Sequence, residues 1–176
     1  MTAAQISAHT TADPAAQDPY RLIPEVFAHY VRAADHRDPQ RMSALFAPEA
    51  TVRIYYRGAG EPELLAELTG AATIGAAVAA GMAPHPPLGW SHHTLLNPIV
   101  TVEGDQGAFD AQFIVYNAHG LARPAEGWPP TAFGAQGTIV PIECGYARAQ
   151  LQRERTRWLI TELVIEHDLP YAFPAP

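Results

Sequence analysis

The His92-His93 pair holds the side chain in this sequence best suited to moving a proton. The pair stands at the start of His93 to Val102, a run that reads as a strand. Side chains alternate along a strand, so His93, Leu95, Asn97 and Ile99 share one face, and His92, Thr94, Leu96 and Pro98 the other. Only one of the paired histidines can then enter an enclosed pocket. Imidazole titrates near neutrality and can take and return a proton at physiological pH. The plainer alternative is a buried histidine bonded to backbone.

Tyr30 lies on the apolar side of a helix, where its hydroxyl can bond a carbonyl or enolate oxygen; a core tyrosine with its hydroxyl satisfied is the ordinary alternative. Asp35 follows about 140° further around an ideal helix, so the two share a pocket only if the helix bends or ends between them. Asp38 already caps the next helix, which leaves Asp35 available. Tyr55 shares a strand face with Arg53, and Asp110 is in phase with Gln112, Ile114 and Tyr116. If that second face is inside, Asp110 is a further carboxylate in the pocket. His119, Glu143 and His167 are isolated polar residues near strand ends or on mixed faces; each is placed to line the pocket mouth, and the surface is the favoured alternative. Trp90, Trp128, Phe133 and Tyr171 read as rim or lid aromatics. No H-x-H or H-x-x-x-H pair occurs to support a metal site, and no metal is expected.

These residues need elements to hold them. Residues 1–17 lack periodicity and are expected to form a disordered tail ahead of one domain over 18–176. Asp18-Pro19 is an N-cap followed by a first-turn proline, and Ile23, Phe27, Val31 and Ala34 form one helical stripe. Pro24 is expected to kink or reset that helix. Asp38-Pro39 starts a second, short helix through Met42, Leu45 and Phe46, ended by Pro48. Thr51 to Tyr56 is a β-branched and aromatic strand, and Gly70 to Met82 an Ala-rich third helix. Then come two hairpins. His93 to Val102 and Gly107 to Asn117 flank Glu103-Gly104-Asp105; Ile139 to Arg153 and Arg157 to His167 turn at Glu154 to Thr156. Residues 121–134 read as a long ordered loop.

The formal charge of −7 argues against nucleic acid or an anionic membrane surface as partner. Every one of the 11 basic residues is Arg, which removes Schiff-base and lysine-base chemistry. Cys144 is the only cysteine, so no intrachain disulfide can form. No signal peptide or membrane span is seen, and a cytoplasmic protein is expected.

Helices first and long strands last is the α+β pattern. Residues 30–52 (YVRAADHRDPQRMSALFAPEATV), 92–115 (HHTLLNPIVTVEGDQGAFDAQFIV) and 145–168 (GYARAQLQRERTRWLITELVIEHD) resemble the SnoaL-like branch of the nuclear transport factor 2-like superfamily. That group includes polyketide cyclases, dehydratases and ketosteroid-isomerase relatives. The resemblance implies a cone-shaped, curved antiparallel sheet wrapped by three N-terminal helices around an apolar pocket. His93-x-x-x-Asn97 matches the family's histidine position. The resemblance also implies that Asp35 orients that histidine, that Tyr55 polarises a carbonyl, and that Asp110 acts as base or orienter. A limonene-epoxide type hydrolase would need an Asp-Arg-Asp set; Asp110 and Arg148 lack a third member.

The expected function is cofactor-independent acid/base chemistry on an apolar, carbonyl-containing small molecule, with dehydration favoured over isomerisation or cyclisation. A non-catalytic binding or assembly module, or the small subunit of a ring-hydroxylating dioxygenase, is the alternative on the same fold. Alternating apolar residues on both faces of 157–167 suggest a homodimer or homotrimer.

Overall fold

A computed structural model of the chain describes residues 18–172; the expected tail at 1–17 and the last four residues lie outside them. Helix α1 spans Pro19–Asp35, with the Asp18 carboxylate accepting a bond from the Tyr20 backbone N–H at 3.0 Å. It runs on through Pro24. The N–H that Pro24 lacks would have paired only with the first turn, so the expected reset does not occur. Ile23 and Phe27 are fully buried, and the Phe27 ring stacks on Phe109 at 3.7 Å. Each such side chain contributes about 1.5–3 kcal/mol on burial.

Helix α2 is shorter than its sequence suggests. It covers Pro39–Ser43 only, and strand β1 begins at Phe46 and runs to Tyr56. Phe46 pairs with Ile160, and the register then skips to Thr51. The skipped stretch contains Pro48, which has no N–H to give a ladder. Strand β2, Glu63–Thr69, pairs antiparallel with β1 although ELLAELT carries no strand signal. Helix α3, Ala71–Gly81, follows two strands in the chain yet sits with the N-terminal helices. It packs against α2 at Gly75, where a Cβ would stand 2.4 Å from the Pro39 carbonyl oxygen.

Strands β3 (Trp90–Glu103), β4 (Gln106–Gly120), β5 (Gly137–Glu154) and β6 (Arg157–His167) complete a curved, unclosed six-stranded sheet in the order β2-β1-β6-β5-β4-β3. The neighbours are antiparallel except β1 and β6, which are parallel, so the sheet is mixed. The fold is α+β, with α1 laid across β3. Residues 121–134 contain no helix or strand and cap the β4/β5 ladder, which runs to Gly120 opposite Gly137. No helix among the described residues is long and apolar enough to cross a membrane.

Candidate active site

The helices and the inner face of the sheet enclose a cavity of about 250 Å³. Its walls are mainly apolar, with Val31 of α1, Val52 and Ile54 of β1, Leu68 of β2 and Ile74 and Val78 of α3. The polar groups that reach it are few: Tyr30, His93, Glu143, His167 and Tyr171. An apolar enclosure with a small polar set suits a small molecule held in one orientation.

Asp35 is the last residue of α1 and is 8% exposed. Its Oδ1 accepts the His93 backbone N–H at 3.0 Å and lies 2.7 Å from His93 Nδ1. A carboxylate only accepts, so the imidazole proton sits on Nδ1. Nε2 is then the basic nitrogen, and no described residue bonds it. His92 takes the other side, its Nδ1 3.6 Å from Asp35 Oδ2, with its side chain 58% exposed. An open groove between α1 and β3 runs past His92 and Trp90, and His85 stacks on Trp90 at 4.0 Å. Trp90 thus borders the groove and not the cavity.

The angular conflict between Tyr30 and Asp35 resolves through β3. Tyr30 faces the cavity directly, whereas Asp35 acts from behind, through His93. Tyr30 packs near the rings of Phe27 and Phe46, and its hydroxyl bonds no described residue. Burial pushes its phenol up to about 12, so it remains a donor throughout the physiological range.

Several sequence expectations fall elsewhere. Tyr55 is in register with Glu166, on the face of the sheet opposite the cavity-lining Ile54 and Ile165. Asp110 is on that outer face too, where Arg148 donates to it at 3.1 Å and to Glu166. That set is Asp-Arg-Glu, but it stands outside the cavity. Asn97 does not share the His93 face: its φ is +51° and the register shifts between Leu96 and Ile99. Val100 and Val102 pack on the core after this bulge, while Ile99 is 66% exposed. Trp128, Phe133 and the rest of 121–134 contribute nothing to the cavity wall.

Sequence reasoning also ranked two cavity residues too low. Glu143 and His167, expected at the surface, both line the cavity. Phase was the available signal: Gly145, Ala147, Ala149 and Leu151 alternate with polar residues, and Glu143 is in phase with them. Leu163 and Ile165 place His167 in the same way. Burial first, and the His93 charge second, push the His167 imidazole down to about 4, so it is neutral at neutral pH. Its 3.8 Å approach to Glu143 is then a contact rather than an ion pair. Burial pushes the Glu143 carboxyl up, against the opposing pull of His93 and Arg37. Tyr171, beyond β6, packs on His167 at 4.5 Å. Among the described residues no group of three or more His, Cys, Asp or Glu is placed to hold a metal ion.

A model of the SnoaL-like domain matches residues 19–164. The chain belongs to this family. Solved structures share the fold of this SnoaL-like protein. One is a nuclear transport factor 2-like protein with a cystatin-like fold from Novosphingobium aromaticivorans, 19% identical with a TM-score of 0.59, covering 87% of this chain and 84% of that one. Another, from the same organism, is assigned as the beta subunit of an aromatic-ring-hydroxylating dioxygenase (15% identity, TM-score 0.62, coverage 86% and 90%). A third is a Catenulispora acidiphila protein in complex with S-DNPA (15% identity, TM-score 0.56, coverage 85% and 92%). At these identities the likeness is one of fold. Among curated proteins, none matches the chain.

Proposed function

We propose that this SnoaL-like protein is a cofactor-independent acid/base enzyme that removes a proton α to the carbonyl of an apolar small molecule. The observation that carries the reading is the 2.7 Å Asp35–His93 bond at the cavity wall, which leaves Nε2 unbonded by any described residue. Nε2 accepts the proton, and Asp35 holds the ring and balances the charge it gains. The Tyr30 hydroxyl donates to the oxygen on which negative charge collects. Dehydration, isomerisation and cyclisation all begin with this step.

Deuterium uptake tests it. In D2O, wild-type protein is expected to speed exchange of the α-protons of 4-phenylbutan-2-one, followed by NMR. His93→Gln is expected to lower that rate about a hundredfold. Exchange no faster than in buffer, or equally fast in the variant, overturns the assignment.

A further inference from the structure

We propose that Glu143 is a second catalytic residue, the general acid that protonates a hydroxyl leaving from the carbon β to the carbonyl. The substrate is then an apolar β-hydroxy carbonyl compound and the product its α,β-unsaturated counterpart. This rests on the assignment of His93 as the base.

Sheet register supplies the geometry. His93 pairs with Val115, and Val115 pairs with Glu143, so the three form one row across β3, β4 and β5. Both polar members line the cavity, on either side of a buried valine. Two strand spacings separate their backbones by about 10 Å, which leaves room for a substrate fragment between the side-chain tips. The next row is Leu95, Phe113, Gly145 and His167. Gly145 has no side chain, and the Phe113 and His167 rings meet edge to face at 5.4 Å. His167 thereby packs beside Glu143 and closes that end of the cavity.

Of the groups at that end, Glu143 is the suitable donor. His167 is uncharged at neutral pH, and burial pushes the Tyr171 phenol further up from an already weakly acidic value. Burial, the largest influence, favours the protonated Glu143, while positive charge on His93 and, more weakly, Arg37 favour its ionisation. The base taking its proton thus assists the acid in giving one.

The step balances without a co-reactant. His93 Nε2 takes the α-proton and the C–H electron pair becomes the new C=C bond. The C–O bond breaks, and its oxygen departs as water carrying the proton of Glu143. The imidazolium and carboxylate left behind exchange one proton through water, which resets both.

The test compares two leaving groups, 4-hydroxy-4-phenylbutan-2-one and its 4-acetoxy analogue. Acetate leaves as an anion and needs no proton. Glu143→Gln is expected to lower enone formation from the hydroxy compound a hundredfold or more, yet to stay within about threefold on the acetoxy compound. Glu143→Asp, which keeps the acid, should recover part of the loss. His93→Gln should lower both reactions. Equal loss on both compounds in Glu143→Gln, or loss on neither, overturns the role of Glu143. Wild-type protein that exchanges α-protons but forms no enone from the hydroxy compound overturns the substrate class while His93 stands. No effect of His93→Gln on either reaction overturns the underlying assignment instead.

Discussion

The Asp35–His93 contact separates a catalyst from a container, and Asp35→Asn is the substitution that interrogates it. Asp35 Oδ1 accepts two bonds, from the His93 backbone N–H and from Nδ1. An alanine would leave both donors without their acceptor at a buried position, costing about 1–3 kcal/mol of stability for the backbone donor alone. Asparagine removes the charge and can still turn either an oxygen or an N–H toward the ring. At an effective dielectric of about 20, unit charges roughly 3 Å apart attract by about 5 kcal/mol. Incomplete hydration of the imidazolium at the cavity wall offsets part of this, leaving about 3 kcal/mol as the proton moves. That corresponds to roughly a hundredfold in rate. The α-proton exchange rate of 4-phenylbutan-2-one is the assay, and the nitrogen chemical shifts of the His93 ring supply an independent readout. The variant is expected to lose Nδ1–H tautomer in favour of Nε2–H, because an amide can also offer N–H to the ring. A folded Asp35→Asn protein with unchanged ring shifts and a rate within threefold of wild type refutes the positioning role.

Local chemistry made much of this molecule readable. Asp18-Pro19 and Asp38-Pro39 each marked a helix start, since both the capping carboxylate and the fixed proline φ act within a few residues. Alternation from Ser91 onward located the long strands. Long-range pairing was harder to see. Glu63–Thr69 is made of residues common in helices and becomes a strand only because β1 presents an edge to it. Phe46 joins β1 rather than α2 because Ile160 pairs with it from the far end of the chain. Strand parity allowed only one of His92 and His93 inside and the family's spacing pointed to His93, but the same parity failed beyond Leu96, where Asn97 adopts positive φ and shifts the register. A bulge is one residue's conformational choice and leaves no periodic trace. Parity gives two faces without saying which is inside. For Tyr55 and Asp110 the answer came from the partners across the sheet, Glu166 and Arg148. The same consideration, run the other way, brought Glu143 and His167 inside.

Two further outcomes follow from the cavity's polar groups. Tyr30→Phe removes a hydroxyl that no described residue bonds, so stability should change by less than about 0.5 kcal/mol while exchange falls roughly a hundredfold. A rate held near wild type assigns the oxygen contact elsewhere. His167 governs stability in acid. Its imidazole ordinarily titrates at 6.5 and is held at about 4 in the fold, so between those values the unfolded chain binds the extra proton. Its contribution is therefore complete above pH 6.5 and is lost as the pH falls through 4, to the extent of roughly 3 kcal/mol. Urea unfolding of wild type and His167→Gln across pH 4 to 7 measures it. The wild type should lose stability more steeply on acidification than the variant, because the variant has no proton to take up on unfolding at that position. Parallel curves would mean that the ring is already solvated, and that the cavity end built by Phe113, His167 and Tyr171 is open to water.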